Sequence, residues 1–410
     1  MNTHFSDLGL SEATLIALKS LNYKEPTEVQ AKSIPEALKG RDIAIGAKTG
    51  TGKTASFALP IIDRPRKKQK QPMALIVTPT RELAQQIDKV FSTLSKSTGH
   101  RIATLVGGIP YGKQLNRLKS NPDIIVATPG RLFDMMERRA VDLSKIEVLV
   151  LDEADRMLDM GFWPTMKKII MATPSTRQTM LFSATIDRKV MTTVGNLLKD
   201  PLFIEVSHKG ETADKIEQFI VPISQQKKSD LLQAVLKERG SDRVIVFART
   251  KRRSDVCAKQ LVRAGYRAEA IHSDLSQGQR RRALDNFTKG KTKILVATDV
   301  LARGIDVTGV KHVINYDLPD SADDYVHRIG RTGRAGRAGD AISFVSSDTK
   351  TCLRDIEKLV GISIPMIDIE GFDNSLEDIK LKVSSAKSVS RSFKSHNRRP
   401  GGGSRRGYRR

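Results

Sequence analysis

The sequence predicts a doubly wound α/β fold built twice in tandem, and three observations carry that reading. Short apolar, β-branched runs recur along the chain, each closed by small or polar residues. Helical stretches alternate with these runs, and the whole rhythm restarts after a polar break near residue 210. At 410 residues the chain exceeds what one hydrophobic core usually serves, so two domains and a remainder are expected.

In chain order, Asp42-Ile43-Ala44-Ile45, Ala74-Leu75-Ile76-Val77, Asp123-Ile124-Ile125-Val126, Val148-Leu149-Val150-Leu151 and Thr179-Met180-Leu181-Phe182 read as buried parallel strands. Helices are expected between them over stretches such as 82–97 and 111–119. A second series begins near Ile216 and continues with Val244-Ile245-Val246-Phe247, Lys293-Ile294-Leu295-Val296, His312-Val313-Ile314-Asn315 and Ala341-Ile342-Ser343-Phe344. Residues 207–214 are polar, aperiodic and contain Gly, which suits an exposed hinge. The expected division is therefore a first domain at 1–206, a linker at 207–215 and a second domain at 216–373. From about Asn374 the periodicity fades into Ser, Lys and Arg, and residues 374–410 are expected to form a disordered basic tail rich in Gly, Ser and Arg.

Charge narrows the function. The chain holds 70 Lys and Arg against 46 Asp and Glu, a net charge of +24, which points to a polyanionic partner. Ten of those cations and no acid fall in residues 381–410, leaving about +14 on the body. The tail reads either as a solvated face or as an untargeted tether for nucleic acid. Cys257 and Cys352 are far apart and lack metal-ligand spacing, which argues against disulfide and zinc frameworks and fits a reducing setting. No run of about 18 apolar residues occurs and no leader pattern opens the chain, so a cytoplasmic protein without a membrane partner is expected.

Directly after the first strand comes Ala47-Lys48-Thr49-Gly50-Thr51-Gly52-Lys53-Thr54, a phosphate-binding loop opening a helix. Its backbone N–H groups would cradle phosphates, Lys53 would reach the β and γ oxygens, and the Thr54 hydroxyl would ligate Mg²⁺. The motif usually starts with Gly, and here it starts with Ala47. The strand 148–151 then delivers Asp152-Glu153-Ala154-Asp155 to its carboxyl end, where open α/β sheets place ligands. Asp152 would hold Mg²⁺, directly or through water, while Glu153 would orient and deprotonate the attacking water. An acid pair decorating a helix N-terminus is the alternative, and the phosphate loop weighs against it.

These residues resemble the DEAD-box family of ATP-dependent RNA helicases, whose name the box 152–155 spells. Phe5 stands seventeen positions before Asn22-Tyr23-Lys24-Glu25-Pro26-Thr27-Glu28-Val29-Gln30, which resembles the family's adenine-reading Q motif. Pro79-Thr80-Arg81-Glu82-Leu83-Ala84, Gly107-Gly108 and Thr128-Pro129-Gly130-Arg131 look like its RNA contacts in the first lobe, and Ser183-Ala184-Thr185 like its coupling motif. In the second lobe Val246-Phe247-Ala248-Arg249-Thr250, Gln277 to Arg280, Ala297-Thr298-Asp299, Ala302-Arg303-Gly304-Ile305-Asp306 and the run from His327 to Arg334 complete the pattern. The resemblance covers about residues 5–365, and the short body with its basic tail looks most like the bacterial RhlE-type branch. Asn22, Ser273 and Leu301 depart from the family's usual residues.

The resemblance implies two tandem RecA-like domains with a cleft between them, ATP and Mg²⁺ as cofactors, and ATP hydrolysis coupled to local, non-processive separation of short RNA duplexes. It implies arginine fingers at Arg331 and Arg334 acting across the cleft. His327, Arg328 and Asp155 would link the acidic box to the RNA side, and Ser183 with Thr185 would sense lobe position. Gln30 would read adenine, with Phe5 packing on the ring or serving only as core; Gly304 and Asp306 would complete the nucleotide site. Pro79, Thr80, Arg81, Gly108, Thr128, Gly130, Arg131, Arg249, Thr250, Gln277, Arg280 and Thr298 would meet RNA, in polar loops suited to backbone rather than base contacts. A monomer acting on single-stranded and short duplex RNA without sequence preference, in ribosome assembly or RNA decay complexes, is the resulting expectation. A DNA translocase on the same scaffold and an ATP-gated RNA clamp are the competing readings.

Overall fold

Alternating apolar side chains within short runs bury both faces of two central sheets. The computed structural model describes residues 4–372 except 20, 22, 48–50, 68, 185, 187, 206–215, 300–308, 334–338 and 371. In the first lobe, strands β1 (Ile43–Gly46), β2 (Ala74–Val77), β3 (Ile102–Leu105), β4 (Ile124–Ala127), β5 (Val148–Leu151), β6 (Gln178–Ser183) and β7 (Leu202–Glu205) form one sheet in the order β3-β4-β2-β5-β6-β1-β7. Every pairing in it is parallel. Ile43 and Ile45 pack into the core on one face while Ala44 joins the core on the other, as the two-residue period of a strand requires.

The second lobe repeats the plan. Strands β8 (Ile216–Pro222), β9 (Val244–Phe247), β10 (Ala268–Ile271), β11 (Ile294–Ala297), β12 (His312–Asn315) and β13 (Gly339–Val345) form a parallel sheet in the order β10-β11-β9-β12-β13-β8. Ile245 and Phe247 face one core, Val244 and Val246 the other. The helices expected over 82–97 and 111–119 are present as Arg81–Thr98 and Tyr111–Leu118.

Strands β3, β7 and β10 were not expected. All three lie at sheet edges, where burial is partial: Phe203 of β7 is exposed and Glu269 of β10 is a half-buried charge, which breaks the apolar run that marks a central strand. The linker at 207–215 and the tail at 374–410 fall outside the described residues. Among the described residues no helix is long and apolar enough to cross a membrane.

Because all strands run the same way, the loops after β1, β2, β4, β5 and β6 gather at one end of the first sheet. Those after β9, β11 and β12 gather at the matching end of the second. Polar backbone that has left the sheet finds partners there, and so does the chemistry.

Candidate nucleotide and RNA site

The phosphate loop is braced from two sides. The helix Lys53–Asp63 starts at Gly52, whose φ of 91° is left-handed. A Cβ there would collide with the Gln30 amide and lie 2.8 Å from Thr27 Oγ1, so only Gly fits. Thr27 caps the helix Glu28–Leu38 in a capping box with Gln30. Gln30 Oε1 accepts the Thr27 N–H at 2.9 Å, Gln30 Nε2 donates to the Gly52 carbonyl at 3.1 Å, and the Thr27 hydroxyl donates to Thr51 O at 2.8 Å. Gln30 thus grips the loop's backbone. From below, Ala47 N donates to Ser183 O at 3.0 Å and Lys53 Nζ lies 3.5 Å from the same oxygen. Lys48, Thr49 and Gly50 lie outside the described residues.

Phe5 is only 6% exposed and belongs to the first lobe's core, which favours the packing alternative for it. Its ring stacks on Tyr23, with centroids 6.3 Å apart. Tyr23 is 38% exposed and stands four residues before the Thr27 cap, so the open aromatic surface of this segment is Tyr23's.

The acidic box sits at the end of β5. Asp152 is buried, and its Oδ1 accepts the Glu153 N–H at 3.1 Å. Burial pushes the Asp152 carboxyl up to about 7 against the pull of Lys53. A carboxylate held at that cost suits a cation. Among the described residues no three acidic, His or Cys side chains converge as a metal cage. Mg²⁺ needs few protein ligands, such as one carboxylate and a hydroxyl, and fills its remaining positions with phosphate and water. Asp152 and Thr54 would hold it there.

Glu153 occupies the left-handed region with φ 52°, an unusual conformation for a side chain with a Cβ and one that marks functional strain. Its Oε2 lies 3.1 Å from Arg156 Nη1. Burial alone would raise the Glu153 carboxyl, but Arg156, Lys53, His327 and Arg331 bring it below the ordinary glutamate value. Two of those groups, His327 and Arg331, come from the second lobe, and the lobes meet directly where Arg280 and Gln277 reach Glu82. Asp155 Oδ2 accepts the Ala184 N–H at 3.0 Å, which joins the box to the coupling motif. The Ser183 hydroxyl is buried with no hydrogen-bond partner among the described residues.

Arg331 is buried, and its Nε donates to the His327 carbonyl at 3.1 Å. Arg328 is turned inward rather than toward the acidic box. Its Nη2 donates to Asp299 at 2.7 Å, its Nη1 to Asn315 at 3.1 Å and to Asp317 O at 2.6 Å, and it stacks over Phe247. It ties the second lobe's own loops together. Thr185, Gly304, Asp306 and Arg334 lie outside the described residues.

The loops expected to meet RNA line the same edge. Thr80 caps the helix Arg81–Thr98, and the Arg81 guanidinium lies against Gly107 and Gly108. A Cβ on Gly107 would come within 2.9 Å of Arg81 Nη2, and one on Gly108, at φ 75°, would collide with Nη1. The glycine pair therefore makes room for that arginine. Pro79, Thr128 and Thr298 are buried at the loop bases, while Gly130 is exposed. Arg131 Nη1 donates to Ile109 O at 3.2 Å and its guanidinium stands over Tyr111. In the second lobe Thr250 caps the helix Lys251–Arg263, and Arg249 Nη2 reaches Leu318 O at 3.5 Å. Gln277 and Arg280 both meet Glu82 of the first lobe.

Glu82, Arg156, Tyr23, Asp317 and Lys228 were not singled out. The first three sit inside or next to recognised motifs, so their position was a usable signal. Nothing local marks Asp317 and Lys228, which are 89 residues apart.

Residues 27–193 match the DEAD/DEAH box helicase family and residues 226–336 the helicase conserved C-terminal domain. A DEAD-box ATP-dependent RNA helicase CshA of Bacillus cereus is 41% identical over 375 residues, 92% of this chain and 71% of that protein. An ATP-dependent RNA helicase CshA of Limosilactobacillus reuteri is 44% identical over 358 residues, 87% of this chain and 72% of that protein. The structure of S. cerevisiae Dbp5 bound to RNA and ADP BeF3 superposes with a TM-score of 0.81 at 32% identity, over 90% of this chain and 96% of that one. These curated relatives are named CshA, so the RhlE-type branch finds no support among them.

Proposed function

The chain belongs to the DEAD-box ATP-dependent RNA helicases, and from that premise we propose that it separates short RNA duplexes locally and non-processively, holding strands by their backbones without sequence preference. One observation carries the proposal: Lys53 of the first lobe and His327 and Arg331 of the second all act on the buried Glu153 carboxyl, while Arg280 of the second lobe pairs with Glu82 of the first. An active site assembled from two lobes couples hydrolysis to cleft closure, and closure is what deforms a bound strand.

In this reading Gln30 and Tyr23 hold the adenine, and the backbone of 47–54 with Lys53 holds the phosphates. Glu153 takes the proton of the attacking water as its oxygen bonds to the γ phosphorus and the β–γ bridging bond breaks, releasing ADP and phosphate. Arg331, with Arg334, balances charge on the γ oxygens. Mg²⁺ held at Asp152 and Thr54 would neutralise phosphate charge. Reopening after hydrolysis frees the strand. The domain limits 1–206 and 216–373, a tethering role for the basic tail, a cytoplasmic monomer, and work in ribosome assembly or RNA decay belong to the same proposal.

The test is steady-state phosphate release with RNA and DNA of equal length, run beside displacement of duplexes of increasing length. RNA-specific stimulation and a steep loss of displacement with duplex length are expected. Equal stimulation by DNA, or length-independent displacement, would favour a translocase. Duplex displacement with no multiple turnover would favour a clamp.

A further inference from the structure

We propose that Asp317, held by the buried Lys228, is a positioning residue that presents Arg249 and Thr250 to RNA and ties them to the arginine-bearing helix Ala322–Ile329. Asp317 lies two residues beyond β12 and is buried. Its Oδ1 accepts from Lys228 Nζ at 3.0 Å and from Arg253 Nη2 at 2.8 Å, and its Oδ2 accepts the backbone N–H of Arg249 at 3.1 Å. One carboxylate thus receives three donors, one of them the main chain of the loop after β9.

The backbone of Asp317 extends the same hold. Its N–H donates to Phe247 O at 3.1 Å, where β9 ends, and its carbonyl accepts Arg328 Nη1 at 2.6 Å. Arg328 in turn grips Asp299, next to Thr298. The adjoining residues support Arg249 directly, since Leu318 O accepts its Nη2 at 3.5 Å and Asp320 lies 3.6 Å from its Nε. The Thr250 hydroxyl accepts the N–H of Arg253, the residue whose side chain also meets Asp317. The loops at 249–250 and 298–299 and the helix carrying His327 and Arg328 therefore hang from one short stretch, Asn315 to Asp317.

A buried ion pair is a weak source of net stability. Lys228 has no solvent exposure, and its ammonium stands 5.7 Å from the Tyr316 ring with Arg253 at 5.6 Å. Burial pulls its pKa below the ordinary lysine value and Asp317 only partly restores it. Replacing buried ion pairs by apolar side chains is often neutral or stabilising, so the pair points to geometry that an apolar core would not impose. The geometry imposed here is that of the loop 248–250.

The inference rests on Arg249 and Thr250 meeting RNA, and the experiment separates the two ideas. Lys228 is wholly buried and cannot touch RNA, so any effect of Lys228→Met on RNA is indirect, through the Tyr316–Asp317 stretch that it contacts; Met conserves volume, and Arg253 keeps Asp317 paired. Lys228→Met is expected to raise the RNA concentration for half-maximal stimulation of ATP hydrolysis about threefold or more, and Asp317→Asn about tenfold. The KM for ATP and the turnover at saturating RNA should stay within about twofold, a split that general loosening of the lobe would not produce. Should Asp317→Asn fail to fold, Lys228→Met decides alone. Arg249→Ala is the control: if it leaves RNA half-saturation unchanged, the RNA reading of that loop fails. If Arg249→Ala weakens RNA and Lys228→Met does not, the positioning role is overturned.

Discussion

Arg280 of the second lobe forms an ion pair with Glu82 of the first, and both side chains are buried, 7% and 4% exposed. Gln277 adds a donor to the same carboxylate at 3.4 Å across 195 residues of chain. The motifs at 79–84 and 277–280, each matched to RNA contacts in the sequence, therefore also latch to each other. Burial pulls the Arg280 guanidinium down and the Glu82 carboxylate opposes that pull. The latch exists only when the lobes meet.

Removing one partner leaves the other buried without its counter-charge in the closed state alone. Glu82→Gln or Arg280→Met should therefore cut RNA-stimulated turnover by about 100-fold, in line with the cost of breaking a buried pair. ATP binding by the first lobe should change little. The double variant should lose less than the two single losses combined, and a double-mutant cycle on RNA-stimulated ATPase rates measures the coupling. Strict additivity would show that the contact does not drive closure.

Lys53 and Glu153 occupy different places in the site, so their substitutions should separate. Lys53→Ala should weaken ATP binding, measured by fluorescent-nucleotide titration. Glu153→Gln should bind ATP normally and trap a long-lived RNA complex. Hydrolysis by Glu153→Gln at the parental rate would refute the role in water activation.

Arg331→Ala should lower RNA-stimulated hydrolysis on the order of 10³-fold while ATP affinity holds, because its charge is needed mainly as the γ phosphate leaves. A fragment ending at residue 206 should bind nucleotide yet turn over poorly. Robust RNA-stimulated turnover by that fragment would overturn the two-lobe mechanism.

The two first-lobe glycines assigned to RNA should behave differently. Gly108→Ala strains a φ of 75° and displaces Arg81, so RNA affinity should fall about tenfold even though the added methyl is small. A Cβ on Gly130 would meet nothing within 4 Å, so any loss in Gly130→Ala reports the RNA itself. Filter binding of one unstructured RNA to both variants checks this, and equal affinities would remove the Arg81 argument.

His100 is buried, its Nδ1 meets the Thr98 hydroxyl at 2.9 Å, and burial lowers its pKa from the ordinary 6.5, with Asp123 opposing. A base whose folded pKa is depressed binds more protons when unfolded. Its neutral form therefore contributes stability above pH 6.5, and that contribution is lost as the pH falls below this value toward the folded pKa. His100→Gln should flatten the pH dependence of stability in that window, as read from urea midpoints between about pH 5 and 7. An unchanged slope would exclude His100 as its source.

Much of the fold was legible because strand periodicity is a local property. The apolar runs ending at Val77, Leu151 and Phe247 each carry enough burial in four residues to announce a central strand. Edge strands β3, β7 and β10 announce nothing comparable, since half of their environment is solvent or a neighbour supplied from afar. Phe5 shows the same limit at the site. An aromatic seventeen positions before Asn22 is read from the sequence as packing on adenine, with core packing as the alternative, and only the packed structure puts Phe5 inside with Tyr23 stacked on it.

The chemistry available to this protein is written in short stretches of its chain: a phosphate loop at 47–54, an acidic box at 152–155, a coupling motif at 183 and a run of cations from His327 onward. Residue type and local spacing are sufficient for that, because phosphate cradling and proton transfer depend on which groups a few adjacent positions offer. The partner that each charge takes is settled by the packed lobes. Arg328 lies in the last turn of the helix Ala322–Ile329 and Arg331 in the turn just beyond it, yet one reaches inward to Asp299 while the other acts on Glu153 across the cleft. Arg280 meets Glu82, and Asp317 collects Lys228, Arg253 and the Arg249 backbone, because a buried charge is tolerable only against its counter-charge. Which counter-charge lies within reach is set by where the ends of two sheets converge, a long-range property that no window of sequence contains.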